Sequence, residues 1–542
     1  MMIHSTGAAL SSVLVALLYA TSTASAAPAS AGQIVLSTNP DPGFGSTADA
    51  RRRIAASRFD AASSIGALKA KYNNANSRLF MRSPGAASSS HSSPSDTGPL
   101  FLHRRRRLDQ EERDQEEHDK RLLGLVGGLL NGVGSTLNGV VGALGTVLFD
   151  GQWGIALAST SNQEADNEWL TTLGIGTPTQ QLQVVLDTGS PDTWVYSPSC
   201  CYQRNHNFFN PLTSLTYANR TVQNGQAVRA APGTPGQSWS ITYGNGYSGA
   251  SGYVGIDNLT IGDSSNLSNP PLTAAALPVA LLTGIQGTSR ANRQMEGLVG
   301  LTPGFTSDTD GGWTTIMEKL ITDGKVANPY LSATLTRANR TTGTGGGGRY
   351  IFGAVDTAAV RSGQSVAWIN VTSTYYWGTN YQTMRVGNVD IVPSSLAPNL
   401  RRVIIDTGSA LMNLPSPIAS GANKQIAGSW YDNTNSIWVV PCQTGESGYE
   451  ATTQNPSYWL DIAGSSFGVP PVDYVFSPNT PIWPANATSS TSYCYSAFQV
   501  GPDAISIIGG TFLKNHMVTF DWGPPPFRTR RMGFANRTDV AI

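Results

Sequence analysis

Val184-Val185-Leu186-Asp187-Thr188-Gly189-Ser190 and Val403-Ile404-Ile405-Asp406-Thr407-Gly408-Ser409 are two versions of one pattern. In each, an aliphatic and β-branched run ends in Asp-Thr-Gly-Ser. Such a run reads as a buried strand, so each Asp is expected where a strand leaves the core and enters a turn. Gly lets backbone approach a carboxylate closely, and the Thr and Ser hydroxyls can donate to it. The copies lie far enough apart for one to sit in each lobe of a two-lobed domain. Two carboxylates brought together share a proton, because two negative charges a few ångströms apart cannot both ionise cheaply. A third Asp-Thr-Gly, at Asp96-Thr97-Gly98, follows a Ser/Pro-rich stretch with no apolar strand before it, and reads as a linker turn.

Other stretches extend the pattern. Ser190-Pro191-Asp192-Thr193-Trp194-Val195 follows the first motif, and Trp239-Ser240-Ile241-Thr242-Tyr243-Gly244-Asn245-Gly246 reads as a Gly-rich hairpin. Gly297-Leu298-Val299-Gly300-Leu301 and Ile507-Ile508-Gly509-Gly510 are paired apolar-Gly segments, and Phe520-Asp521 and Arg531 to Ala535 read as late strands. With these motifs the chain resembles the pepsin-type aspartic endopeptidases of the secreted fungal kind, over about residues 165 to 542.

The resemblance implies an all-β, bilobal fold, two related lobes with a cleft between them. It implies a catalytic pair, Asp187 and Asp406, supported by Thr188, Gly189, Ser190, Thr407, Gly408 and Ser409. Relatives often carry Thr at the position of Ser409, a mild departure. Tyr243 and Gly244 fall at the flap, with the Trp194 indole expected to hold the Tyr243 hydroxyl; the alternative for Trp194 is an ordinary core aromatic. Cys442 and Cys494 fall where the family often forms a disulfide. Cys200 and Cys201 are adjacent where relatives have two Cys separated by a loop, and their state stays open. No cofactor and no metal are implied. The expected partners are protein or peptide substrates, with the protein a monomer.

Composition agrees with this class. The 35 Lys and Arg balance 35 Asp and Glu, so neither nucleic acid nor an anionic membrane surface is an expected partner. The 58 Gly and the short aliphatic runs favour an all-β reading.

In chain order, residues 1–26 read as a secretory signal peptide: an uncharged run from Gly7 to Ala20, then Ala24-Ser25-Ala26. Residues 27–121 form a prosegment with a Ser-rich linker, a basic block at Arg104 to Arg107 and an acidic stretch, ending at Lys120-Arg121. Lys71-Tyr72 is one candidate for the pair that covers the aspartates in the family's prosegments; a chance dipeptide is the other reading. Residues 122–159 hold a Gly/Leu/Val-rich segment of open role. Its eight Gly between Leu122 and Phe149, with Asn131 and Asn138, argue against a membrane span. The lobes are expected at 160–345 and 346–542. Asn219, Asn258, Asn266, Asn339, Asn370, Asn486 and Asn536 are glycosylation acceptors. Secretion is expected, to the medium, a cell wall or a vacuole.

Three other readings compete with this one. Gly464-Ser465-Ser466-Phe467-Gly468 fits a nucleophile-elbow pattern, but Val469-Pro470-Pro471 is expected to stop the helix that elbow needs, so a hairpin is expected. Only His206 and His516 of the six His lie in the body, too few for a catalytic metal site. The third is a non-catalytic binding or inhibitor protein on the same fold, which would typically lack an Asp or the flap Tyr; here Asp187, Asp406 and Tyr243 are all present.

Overall fold

The computed structural model describes residues 155–540 apart from 164–165, 201–205, 224–225, 230–235, 244–247, 263–269, 287–294, 304–313, 340–344, 448–450, 453, 477–491 and 528. The signal peptide, the prosegment with Lys71-Tyr72, the apolar segment 122–149, Gly244, Cys201, Asn266 and Asn486 lie outside the described residues, as does the Tyr243 side chain.

The architecture is all-β and two-lobed. Aliphatic runs bury themselves as strands, and the two strands that carry the Asp-Thr-Gly-Ser motifs are buried where they end. Gln180–Asp187 ends in four buried residues, and Val403, Ile404 and Ile405 of Arg402–Ile405 are all fully buried. Each has a parallel partner that stops at the same level. Gly297–Gly300 runs alongside Gln180–Asp187 with Gly300 beside Asp187, and Ser506–Ile508 runs alongside Arg402–Ile405 with Ile508 beside Ile405. The apolar-Gly segments are these partners. Their glycines permit close approach: a Cβ on Gly300 would lie 2.1 Å from the Pro191 carbonyl carbon, and one on Gly509 would lie 2.2 Å from the Ser409 oxygen.

Gln180–Asp187 belongs to a 15-stranded sheet, and Arg402–Ile405 to a five-stranded one. Two four-stranded sheets complete the second lobe. At one end of the large sheet, six strands run side by side in the order Ala367–Asn370, Arg531–Asn536, His516–Asp521, Tyr330–Thr336, Gly347–Phe352 and Ala156–Gln163. Both halves of the chain contribute to this run. The strand Ala156–Gln163 starts ahead of residue 160 and pairs with Gly347–Phe352.

The Gly-rich tract from Gly343 joins Tyr330–Thr336 to Gly347–Phe352, which pair antiparallel. The Gly464 region is a hairpin: Ile462 pairs with Ser465 across Ala463 and Gly464, at φ 55° and 72°. That turn has the left-handed geometry of tight hairpins. The prolines after it act differently from expectation. Pro471 opens a short helix, Pro471–Tyr474, capped by Pro470. At the first helical position Pro gives up no hydrogen bond and its fixed φ suits the turn.

Cys442 and Cys494 form a disulfide. Cys200 is also disulfide-bonded.

A buried ionic cluster links the two halves. Arg337 makes two hydrogen bonds to Asp473, at 3.0 and 2.6 Å, and Lys514 lies 3.2 Å from Asp473 and 2.7 Å from Asp166. Asp473 and Lys514 are almost fully buried.

His516 is fully buried beside Phe512 and Phe467, with ring centroids at 4.4 and 5.3 Å, and its Nε2 is 2.7 Å from the Gly468 carbonyl. Burial opposes the charged imidazolium and pushes its pKa down to about 3. Between the ordinary value of 6.5 and about 3, the unfolded chain takes up a proton that the folded one refuses. Stability on this account is therefore full above pH 6.5 and falls as pH drops towards 3, by up to about 1.4 kcal/mol per pH unit. His516→Phe, which suits the aromatic surroundings, is expected to flatten stability against pH over that window. Denaturant melts at pH 7, 5 and 4 check this, and parallel slopes for the two proteins would refute it.

Candidate active site

The Asp187 and Asp406 turns face one another and interlock. The Thr188 amide donates to Thr407 Oγ1 and the Thr407 amide donates to Thr188 Oγ1, both at 3.0 Å. Each hydroxyl then donates across to the opposite strand: Thr188 Oγ1 to the Ile405 carbonyl at 3.0 Å, and Thr407 Oγ1 to the Leu186 carbonyl at 2.6 Å. A hydroxyl is needed at both places, since one atom must accept an amide hydrogen and donate its own.

The carboxylates are held in matching ways. Asp187 Oδ1 accepts the Gly189 amide at 2.8 Å and its Oδ2 accepts the Ser190 hydroxyl. Asp406 Oδ1 accepts the Gly408 amide at 2.9 Å and its Oδ2 accepts the Ser409 hydroxyl at 2.6 Å. Serine in place of threonine at 409 leaves this bond intact. Both aspartates are almost fully buried. Each also presses on the other turn. A Cβ on Gly189 would sit 2.4 Å from the Asp406 carboxyl carbon, and one on Gly408 would sit 2.3 Å from Asp187 Oδ1. Glycine at both positions is thus a steric condition for the two carboxylates to meet.

Trp194 lies on the two-residue strand Trp194–Val195 between Leu298 and Ala280. It is buried in a small cluster with Leu170, Val185, Trp239 and Leu298. Tyr243 ends the strand Gln237–Tyr243, its backbone paired with Ser248 in a hairpin.

Several residues at the site carried no role in the sequence reading. The Trp239 indole donates to Asp192 Oδ2 at 2.9 Å, tying the base of this hairpin to the first catalytic loop. The Trp377 indole donates at 2.8 Å to the Leu301 carbonyl, whose amide donates to the Asp187 carbonyl at 2.8 Å. Trp169 reaches the other way: a Cβ on Gly510 would lie 2.4 Å from its ring, and its indole donates to the Thr336 carbonyl at 3.0 Å. Each half thus sends a tryptophan under the other half's support. In the sequence Trp169 stands within the strand Glu168–Ile175 and Trp377 just before the strand Gly378–Asn380, with nothing to mark either as reaching across. Among the described residues no group of three or more His, Cys, Asp or Glu could hold a metal ion.

Two interlocked Asp-Thr-Gly turns on paired strands, one from each half of an all-β chain, define the class. The chain belongs to the eukaryotic aspartyl protease family, whose model matches residues 168–536. It is an aspartic-type endopeptidase of pepsin-like fold, acting on protein or peptide substrates. It is 29% identical to rhizopuspepsin of Rhizopus chinensis over 375 residues, which covers 69% of this chain and 80% of that one. It is 28% identical to human gastricsin over 379 residues, covering 68% and 81%. To syncephapepsin of Syncephalastrum racemosum the identity is 26% over 382 residues, covering 70% and 81%.

Proposed function

We propose that the protein is a secreted acid endopeptidase in which Asp187 and Asp406 share one proton and activate a water between them. The observation that carries this reading is the reciprocal grip, which presses each carboxylate against the opposite turn. The ionised carboxylate takes a proton from the water as its oxygen bonds to the scissile carbonyl carbon. The protonated one donates to the carbonyl oxygen and stabilises the tetrahedral intermediate. The C–N bond then breaks, a proton passes to the leaving nitrogen, and one carboxylate is left protonated for the next cycle. The amide and hydroxyl donors on each carboxylate favour ionisation of the first, and like-charge repulsion holds back the second. Activity then lies between the two macroscopic values of the coupled pair, the lower one depressed by the donors and the upper one raised by repulsion. An extended peptide would lie in the cleft, recognised by strand-like hydrogen bonds.

The amino-terminal segments fit a secreted precursor: a signal peptide to Ala26, a prosegment cut after Lys120-Arg121, and glycans on the exposed acceptors Asn339 and Asn370. Among the described residues no helix is long and apolar enough to cross a membrane. Digestion of casein at acid pH, with and without pepstatin, is the test. Digestion blocked by pepstatin is expected; an inert processed protein would favour a non-catalytic binding role.

Tyr243 is assigned to closing over the substrate. Tyr243→Ala is expected to lower kcat/KM about 10²-fold through lost positioning, with the melting temperature nearly unchanged. Unchanged kinetics would remove Tyr243 from the flap role.

A further inference from the structure

The hairpin that carries Tyr243 is pinned at one level of its strands. Trp239 lies opposite Gly252 on Ser248–Ile261, four residues before Tyr243 meets Ser248. Gly252 in turn lies opposite Leu282 on Leu272–Gln286, while Ser251 lies opposite Gly284, so Thr283 is an extra residue in the ladder. Such a bulge bends its strand and increases the local twist. The backbones are close there: a Cβ on Gly252 would sit 1.9 Å from the Leu281 oxygen. The strands that run on to Tyr243 therefore change direction at the level of Trp239 and Gly252.

At that level Trp239 Nε1 donates to Asp192 Oδ2 at 2.9 Å, and both side chains are almost fully buried. A hydrogen bond to a carboxylate is stronger than one between neutral groups, and a buried, low-dielectric place strengthens it further. Asp192 is itself held on both sides. The Ser190 carbonyl accepts the Leu301 and Thr302 amides at 2.9 and 3.1 Å, and the Thr193 carbonyl accepts the Ala280 amide at 2.9 Å. A Cβ on Gly300 would lie 2.5 Å from the Asp192 nitrogen, so the loop rests directly on the neighbouring strand. Two residues before Asp192, the Ser190 hydroxyl donates to Asp187 Oδ2. A path of short links thus runs from the first aspartate to the hairpin, through Ser190, Asp192 and Trp239.

We propose that Asp192 and Trp239 are positioning residues for the cleavage reaction: their buried hydrogen bond is the pivot that sets the hairpin bearing Tyr243 relative to the aspartate pair. This rests on the assignment of Tyr243 to closing over the substrate. The lever is long. Four residues of strand span about 13 Å, so a rotation of about 4° at Trp239 displaces the Tyr243 backbone by roughly 1 Å. A displacement of that size costs up to about 10²-fold in rate when it falls on a group that positions the substrate.

The test uses processed enzyme and a chromogenic peptide, with pepstatin titration counting the competent sites in each preparation. Trp239→Phe keeps a ring and loses the indole hydrogen. Asp192→Leu keeps the bulk and loses the acceptor. Each is expected to lower kcat about tenfold with KM changed less than about twofold. The double variant is expected to show the same loss and not the product, since both substitutions break one link. Asp192→Asn, whose amide oxygen still accepts the indole hydrogen, is expected to recover most of the loss. In a Tyr243→Ala background, Trp239→Phe is expected to add less than about twofold, because the group it positions is gone. Losses that multiply in the double variant, a Trp239→Phe effect undiminished without the Tyr243 side chain, or a change confined to KM would overturn the pivot and leave Tyr243 in its role. Unchanged kinetics in Tyr243→Ala alone would bring down the flap reading and the pivot with it.

Discussion

Asp187→Asn and Asp406→Asn are each expected to lower kcat by about 10⁴-fold or more, and the double variant is expected to be little worse than either single one. Each carboxylate accepts one glycine amide and one serine hydroxyl, and each abuts the other turn's glycine. An asparagine side chain fills the same space but cannot share the proton, so one substitution removes both the general base and its protonated partner. Because the two act as a unit, the second substitution has little left to remove. The variants should fold, since the threonine grip does not pass through the carboxylates. A single-turnover assay on processed protein checks this. Activity retained within tenfold in either single variant, or single effects that multiply in the double, would exclude a shared-proton pair.

The second large effect concerns stability. Asp473→Asn is expected to cost about 3–5 kcal/mol, because it strips the buried anion that Arg337 grips with two hydrogen bonds and leaves Lys514 with Asp166 alone. Burial by itself would raise the Asp473 pKa, but Lys514 and Arg337 outweigh it and hold the carboxyl below its ordinary 3.8. A depressed carboxyl contributes stability above the unfolded pKa, and that contribution is lost as pH falls through the lower folded value. The cluster therefore survives over most of the acid range in which His516 is already costing stability. Replacing the buried members together, Asp473→Leu with Lys514→Met and Arg337→Met, is expected to recover much of the loss, since a whole buried ionic group can give way to packed apolar side chains. Urea unfolding of wild type and the two variants at pH 5 measures both effects. A single variant within about 1 kcal/mol of wild type would mean that water reaches the cluster and screens it.

Much of the site was legible in the chain. Val184 to Leu186 and Val403 to Ile405 could only be buried strands, since their side chains repay burial on both faces. The turn after each strand placed Asp, Gly and Ser in hydrogen-bonding reach of one another, because a carboxylate two or three residues from an amide and a hydroxyl closes a local ring whatever the rest of the fold does. The Gly464 hairpin was readable for the same local reason. The short helix at Pro471–Tyr474 was less legible, because proline opposes a helix interior yet suits a helix start.

The information legible along the chain is thus local: which segments are strands, where each aspartate leaves its strand, and which short side chains surround it. Everything that crosses between the halves came from the folded arrangement. Thr188 and Thr407 exchange hydrogen bonds over 219 residues of chain. Trp169 and Trp377 each brace the opposite half. No spacing encodes these contacts. A strand's pattern specifies which face is buried but not which strand lies beside it, and register and pairing emerge only when the two lobes close around a shared core.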